Sequence, residues 1–101
     1  MNVEISSEMH KGDNYIRFKV NAHDIVGHDS HILFTAGICL IETHKVIFDF
    51  SLVHNANSSF LDALVKITKR DKKGHALFIF SSHLFKIVSS CGLHKVIKII
   101  N

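Results

Sequence analysis

The chain contains 101 residues, which is room for one domain, because a single hydrophobic core usually organises about 100 to 200 residues. Its 47% hydrophobic and 21% charged residues exclude a disordered chain. The longest stretches without a charge, such as residues 30–41 and 74–85, are shorter than the roughly 20 apolar residues that cross a bilayer. Because residues 1–8 contain acids and no apolar segment, we expect no secretory signal and a cytoplasmic location.

The cysteines and the net charge narrow the kinds of site to expect. Cys39 and Cys91 stand far apart with no ligand motif next to either, so we predict two free thiols packed among apolar neighbours. The formal net charge of +3 is too small to indicate a polyanionic partner by itself. Nine histidines are the unusual feature of the composition, and they make the net charge sensitive to pH between about 5 and 7.

The first half of the chain predicts a hairpin followed by a helix. Residues 3–9 and 15–20 alternate between apolar and polar side chains, which indicates two strands. The segment between them, Lys11-Gly12-Asp13-Asn14, contains turn formers and predicts an antiparallel pairing. A helix is expected over residues 30–43, where apolar residues recur at spacings of three and four. Because this segment is apolar on most sides, we expect most of its surface to be buried.

The second half predicts alternating strands and helices. Strands are expected over residues 45–50, 76–80 and 96–100, and helices over 59–72 and from about Ser82 to Gly92. The apolar face of the 59–72 helix is expected to contain Leu61, Leu64, Val65 and Thr68. The uninterrupted apolar run 76–80 is typical of a central strand covered on both faces. The order predicts an α/β domain, with a mixed, mostly parallel sheet of about five strands that opens with the hairpin and carries three helices.

Polar residues follow the 45–50 strand, at the predicted start of the second helix. In open α/β sheets, ligands and partners collect at this edge, beyond the carboxyl ends of the strands. Helix amino termini favour negative charge, so a phosphoryl group on Ser58 or Ser59 is compatible with the fold and would act as a switch. Helix capping, by Asn57 or by the pattern Ser59-Phe60-Leu61-Asp62, explains the same residues without a functional role.

The same region resembles the core signature of the STAS domain, the fold of bacterial anti-sigma-factor antagonists. The resemblance is carried by residues 46–53, Val-Ile-Phe-Asp-Phe-Ser-Leu-Val, and by residues 57–65, Asn-Ser-Ser-Phe-Leu-Asp-Ala-Leu-Val. It extends to the hairpin, the first helix, which the resemblance expects to be buried, the 76–80 strand and residues 82–93, where Cys91-Gly92-Leu93 matches a small residue, Gly and Leu of the family. In total it covers about residues 3–100.

The resemblance implies a non-enzymatic switch protein without a cofactor. In the family, the unphosphorylated protein binds an anti-sigma factor or GHKL-type kinase, and phosphorylation of the serine after the motif's Asp releases it. That serine is Ser58 here, and the implied partner-binding residues are Asn57, Ser58, Ser59, Phe60 and Asp62. This chain has Asn57 in place of the Asp, and Phe60 and Asp62 in place of two glycines. Many members of the family carry a final helix after the last strand, and the resemblance gives no counterpart of it in this sequence. The surface that this helix covers is an alternative site for a homodimer or another partner.

Other functions remain alternatives at this stage. A STAS subunit that docks on the ATPase of an ABC-type phospholipid transport complex is the second interpretation of the same fold. Two further hypotheses are metal binding by His28 and His31 with His23 and Asp24, and nucleic-acid binding by the basic run Lys66 to Lys73. We expect neither a metal site nor a nucleic-acid partner, and no membrane insertion. Because no nucleophile, base and acid can be grouped from the sequence, an enzyme is the least favoured class.

Overall fold

The computed structural model describes residues 2–25 and 27–101 as a mixed sheet with helices on it. In chain order the elements are β1 (Asn2–His10), β2 (Asp13–Asn21), β3 (Asp24–Ile25), α1 (Gly27–Thr43), β4 (Val46–Phe50), β5 (Asn55–Ala56), α2 (Ser58–Arg70), β6 (Ala76–Phe80), α3 (Ser82–Ser90) and a 3-10 turn at Leu93–Lys95. The main sheet has the order β1-β2-β4-β6, and β3 pairs with β5 in a small second sheet. The predicted α/β class and the three helices are confirmed.

The opening hairpin is confirmed, with longer strands and a shorter turn than predicted. β1 and β2 pair antiparallel without interruption from Asn2 opposite Asn21 to His10 opposite Asp13. Lys11 and Gly12 form the turn with φ values of 49° and 85°. Positive φ at both central residues gives a type I′ turn, whose twist matches that of the flanking strands. This two-residue turn therefore allows the strands to extend to its edges.

A layer of phenylalanine rings joins the sheet to the helices. β2, β4 and β6 are parallel neighbours, and their register places Phe18, Phe48 and Phe78 side by side. The Phe48 ring lies 5.7 Å from the Phe18 ring and 5.3 Å from the Phe78 ring, measured between centroids. The same buried cluster contains side chains from all three helices, among them Leu33, Leu64 and Leu84. All three helices therefore pack on one face of the sheet, as right-handed crossovers that step in one direction require.

The opposite face of the sheet contains a buried ion pair. Asp49 is fully buried, and Arg17 of β2 donates to its Oδ2 from Nε at 2.9 Å and from Nη2 at 2.6 Å. Arg17 also pairs with Glu8 of β1, so one guanidinium joins three strands. Burial disfavours the charged form of Asp49, but hydrogen bonds from Ser51 and the Arg17 ion pair outweigh it and lower the pKa of Asp49.

The first helix is less buried than the sequence predicted. α1 begins at Gly27, three residues before the predicted start, and buries a narrow face made of Ser30, Leu33, Gly37 and Ile41. Ile32 is 46% exposed, so the expectation that most of this helix is buried was wrong. The prediction of packed thiols was also wrong, because Cys39 on α1 and Cys91 after α3 are both exposed free cysteines. α1 packs on the sheet through this narrow face, and its other side meets solvent.

The second helix buries a different face from the predicted one. α2 spans Ser58–Arg70, and its buried residues are Phe60, Ala63, Leu64 and Ile67. Of the predicted face only Leu64 is fully buried, whereas Leu61, Val65 and Thr68 are half-buried. The buried ring of Phe60 turns the helix toward the sheet, so the core face passes through residues 60, 63, 64 and 67. The predicted basic end is present, with Lys69 and Arg70 in the last turn.

The carboxyl-terminal strand is shorter than predicted, and this changes the position of β6. Among the described residues, the only pairing of β6 beyond β4 is a single parallel bridge between Phe78 and Ile99. Phe78 donates to the Lys98 carbonyl at 2.9 Å and accepts from the Ile100 amide at 3.0 Å. Val96 and Ile97 instead close the 3-10 turn at Leu93–Lys95, because their amides donate to the Leu93 carbonyl at 3.0 Å and 3.1 Å. β6 is therefore buried as predicted, but it lies near the sheet edge and not at its centre.

We predict that Asp49→Asn lowers the free energy of unfolding at pH 7 by about 2 kcal/mol, because the variant leaves the Arg17 guanidinium without its buried charge partner. The pKa of Asp49 is lower in the folded protein than in the unfolded chain. Its contribution is thus fully present above the unfolded-state pKa of about 3.9 and disappears as the pH falls through the folded-state pKa. Denaturant unfolding measured from pH 7 to pH 2 checks this.

The matched control is Glu4→Gln on the exposed part of β1, which we expect to change stability by less than about 0.5 kcal/mol. The wild type should lose more stability than Asp49→Asn as the pH falls below 4. Equal acid sensitivity of the two proteins would contradict a stabilising role for the ionised Asp49.

Candidate functional site

The candidate site lies where β4 ends and α2 begins. Residues 51–57 connect the two elements, and the carboxyl ends of the parallel strands bring this connection next to the start of α3. The Val53 amide donates to the Phe50 carbonyl at 3.0 Å, so the chain turns directly after the strand. The structure thus places the predicted polar residues at the edge of the sheet that the sequence indicated.

The small β3–β5 sheet holds the middle of this connection. The His23 carbonyl accepts hydrogen bonds from the amides of His54 at 2.8 Å and Asn55 at 3.2 Å. The Asn55 side chain donates to Asp24 Oδ1 at 2.8 Å, which together with His23 lowers the pKa of Asp24. The segment before α1 and the segment before α2 are therefore tied together.

Three histidines meet beside the site, of which the sequence analysis considered only His23, as a candidate metal ligand. The rings of His23 and His54 stack with centroids 4.7 Å apart and an interplanar angle of 9°. His83, in the first turn of α3, lies 6.4 Å from His54 on the same edge. The repeated pattern of histidine, Asp or Asn, and an apolar residue at 23–25 and 54–56 is the signal that predicts the first pair. The three rings form a polar surface beside the other residues of the 51–57 connection.

Ser81, which directly follows β6, holds the 51–57 connection in place. Its Oγ accepts from the Leu84 amide at 3.1 Å, which makes Ser81 the N-cap of α3. The same hydroxyl donates to the Val53 carbonyl at 2.6 Å. One side chain therefore caps a helix and holds residue 53, and it links the start of α3 to the candidate site.

Asn57 is the N-cap of α2. Its backbone is extended, and its side-chain oxygen accepts from the Phe60 amide at 3.2 Å. The capping pattern Ser59-Phe60-Leu61-Asp62 predicts a different start, which the structure does not adopt. Asp62 instead pairs with Lys66 one turn later, with a distance of 2.9 Å between Oδ2 and Nζ. Ser58 and Ser59 are consequently the first two helical residues, and both are exposed.

Phe60 lies inside the core. Its side chain is fully buried, and its ring meets the Phe50 ring edge to face at 5.1 Å and 86°. Of the five predicted partner-binding residues, Asn57, Ser58, Ser59 and Asp62 are exposed, and Phe60 is not. Phe60 therefore anchors the first turn of α2 and offers no surface to a partner.

The structure also bears on the metal and nucleic-acid hypotheses. Within residues 2–25 and 27–101, no group of three or more His, Cys, Asp or Glu side chains is arranged to hold a metal ion. The basic run is partly engaged within the domain, because Lys66 pairs with Asp62, and Lys66 and Arg70 lie 5.6 Å and 5.9 Å from the centre of the Phe34 ring. The helices in the described part of the chain are too short or too polar to span a membrane.

We predict that Asn57→Ala lowers the free energy of unfolding by about 1 kcal/mol, because it removes the side-chain acceptor of the α2 cap. Ser59→Ala is the matched control and should change stability by less than about 0.5 kcal/mol, since Ser59 is helical and alanine is a better helix former. Thermal or denaturant unfolding of both variants checks the assignment. A larger loss for Ser59→Ala than for Asn57→Ala would show that the cap lies at residue 59.

Comparison with known proteins supports the fold. No protein family model matches the chain, and no curated protein sequence is detectably similar to it. Solved structures that resemble it include an anti-sigma factor antagonist from Mycobacterium paratuberculosis, with a TM-score of 0.71, 16% sequence identity, and coverage of 97% of this chain and 85% of that chain. A protein from Thermotoga maritima, assigned as an anti-sigma factor antagonist, has a TM-score of 0.69, 13% identity, and coverage of 96% and 86%. At these identities the likeness establishes the fold: the chain has the STAS fold that its sequence motifs predicted.

Proposed function

We propose that this protein is a non-enzymatic regulatory module that binds another protein through the start of α2. The observation that carries the proposal is the exposed pair Ser58 and Ser59, held as the first helical residues by the Asn57 cap and the buried Phe60. The fold that the chain shares with two solved structures described as anti-sigma factor antagonists also supports the proposal. The partner class that follows is an anti-sigma factor or a GHKL-type kinase.

Two large apolar side chains are exposed on the segments that flank the start of α2. Leu52, in the connection after β4, is 47% exposed, and Phe85, in the first turns of α3, is 39% exposed. These two large apolar side chains lie on the same edge as the exposed polar residues of α2. An apolar anchor surrounded by polar groups is typical of protein-binding surfaces. Leu52 is therefore proposed as an apolar contact in place of the buried Phe60.

The switch in this proposal is phosphorylation of Ser58. The first turn of a helix favours a phosphate, because its unpaired amides and the positive end of the dipole face it. The modified protein would therefore stay folded. The same phosphate adds about 1.5 to 2 negative charges to the exposed surface. A partner that binds the neutral hydroxyl loses affinity through repulsion and through the cost of desolvating the phosphate.

Affinity capture from the cells that encode this sequence tests the proposal. Four baits are compared: the wild type, Ser58→Asp, Ser58→Ala and the control Ser90→Asp, which changes an exposed serine at the far end of α3. We expect a GHKL-type kinase to bind the wild type, Ser58→Ala and Ser90→Asp, with at least about tenfold less bound to Ser58→Asp. Incubation of the captured kinase with ATP should phosphorylate the wild type at Ser58 and leave Ser58→Ala unmodified, as read by mass spectrometry.

Two outcomes contradict the proposal. Equal recovery of the same partners on all four baits would exclude a switch at Ser58. Recovery of an ABC-type transporter ATPase, without a kinase, would assign the domain to a transport complex instead. Melting temperatures of the four baits, expected to agree within about 3 °C, show that lost binding does not reflect lost folding.

A further inference from the structure

β1 is an edge strand of the main sheet without the usual protection of such an edge. It spans Asn2–His10 and pairs with β2 alone among the described elements. Proteins commonly protect an edge with a short strand, a bulge, a proline or a lysine. β1 is 9 residues long, its pairing with β2 has no bulge, and it contains neither proline nor lysine. Its outer edge is therefore able to pair with another strand.

The backbone groups on this outer edge belong to the odd-numbered residues of β1. In β2, the Ile16 amide donates to the Lys45 carbonyl at 2.9 Å, toward β4, so the amide of its neighbour Arg17 points toward β1. Arg17 is paired there with Ser6. Because the direction alternates along a strand, residues 5, 7 and 9 direct their amides and carbonyls away from β2. A second strand can form hydrogen bonds with these groups.

Ile5 and Met9 are large apolar side chains exposed along the same edge. Ile5 is 59% exposed, and Met9 is 62% exposed. Ile5 is paired with Phe18 of the core cluster, so both side chains lie on the face of the sheet that carries the helices. Their exposure shows that the helices of the described chain leave this end of the face uncovered. A strand added at β1 would bury both side chains.

One antiparallel register makes β1 complementary to itself. With Ser7 opposite Ser7 of a second copy, Ile5 faces Met9 of that copy and Glu4 faces His10 of that copy. Apolar pairs, and pairs of an acid with a basic group, stabilise neighbouring strands when they lie directly opposite each other. Because the arrangement is symmetric, each of these two pairs occurs twice. This register therefore uses both exposed apolar side chains and matches the acid with an imidazole.

The neighbouring registers lack this complementarity. A register centred on Ser6 would place Glu4 opposite Glu8 of the second copy, and like charges directly opposite each other are destabilising. A register centred on Ile5 would place Met9 beyond the first residue of the other β1, so its side chain would remain uncovered. The charges and the apolar residues of β1 thus both favour the register centred on Ser7.

We propose that a second copy of this chain binds along β1 in the antiparallel register centred on Ser7, so that two four-stranded sheets join into one. A two-fold axis passes between the two Ser7 residues, and each copy contributes the same surface. The proposal goes beyond the proposed function and does not rest on it, because self-association is measured on the protein alone. The start of α2 is not part of this interface, so each copy of the dimer keeps its own Ser58 surface.

Sedimentation equilibrium of the full chain from about 1 to 500 µM tests the interface. We expect a monomer–dimer equilibrium with a Kd of about 10 to 100 µM, as is typical of a small interface. Ser7→Pro removes an outward amide and leaves the hydrogen bonds between β1 and β2 in place, so it should weaken the dimer at least about tenfold. The control Val96→Lys changes a residue that is 61% exposed on the β6 side of the domain, and its Kd should stay within about twofold of the wild type.

A mixing experiment tests the register. Ile5→Lys and Met9→Glu each place a charge opposite an apolar side chain of the second copy, so each variant alone should dimerise at least about tenfold more weakly than the wild type. In a mixture of the two variants, the new lysine of one chain faces the new glutamate of the other. The mixed dimer should therefore form more tightly than the dimer of either variant alone.

Three results would overturn the proposal. The first is a wild type that stays monomeric up to about 500 µM, and the second is a dimer that persists unchanged in Ser7→Pro and Ile5→Lys. The third is a mixture that associates no more tightly than its separate components, which would exclude the register centred on Ser7. Both charged variants change exposed side chains, so they keep the test valid if Ser7→Pro fails to fold. Melting temperatures within about 5 °C of the wild type confirm that the variants compared are folded.

Discussion

The layer of phenylalanine rings on one face of the sheet is the contact on which the rest of the structure depends. Phe48, Phe50, Phe78 and Phe80 stack across β4 and β6, with neighbouring centroids 5.3 to 6.4 Å apart. Each of the three helices contributes side chains to the cluster that covers these rings. The opposite face combines buried apolar side chains, Ile47 and Leu77, with a buried charge. That charge is Asp49, which is paired with Arg17.

The same layer determines what the candidate site can present. Phe60 packs on Phe50, and this contact fixes the first turn of α2 from inside, while Asn57 fixes it from outside. Ser58 lies between the two anchors and stays exposed. Phe60 stands where the motif that the sequence resembles has a glycine, and it does not block the surface because its ring turns inward. The proposed switch thus combines a rigid helix start with a free hydroxyl.

Local patterns predicted most of the fold but not its contacts between distant segments. Period-two alternation located both hairpin strands, and the run Ala76 to Phe80 located β6. The face of α2 was missed because Leu61 and Val65 have the same spacing as the true core residues, and only the sheet decides between them. The β3–β5 pair joins residues 31 positions apart through two-residue strands, which have no periodicity to read. The sequence alone does not decide between a helix cap at Asn57 and the equally good capping pattern that begins at Ser59.

Hydrogen exchange of the domain, free and bound to its captured partner, tests most directly whether the start of α2 is the binding surface. We expect slower exchange in the complex at residues 52–62 and 81–85, which contain the exposed residues of the site and the start of α3. Exchange in β1, the exposed edge strand, should not change. Protection confined to β1, with residues 52–62 unaffected, would place the partner at the opposite edge of the sheet and contradict a switch at Ser58.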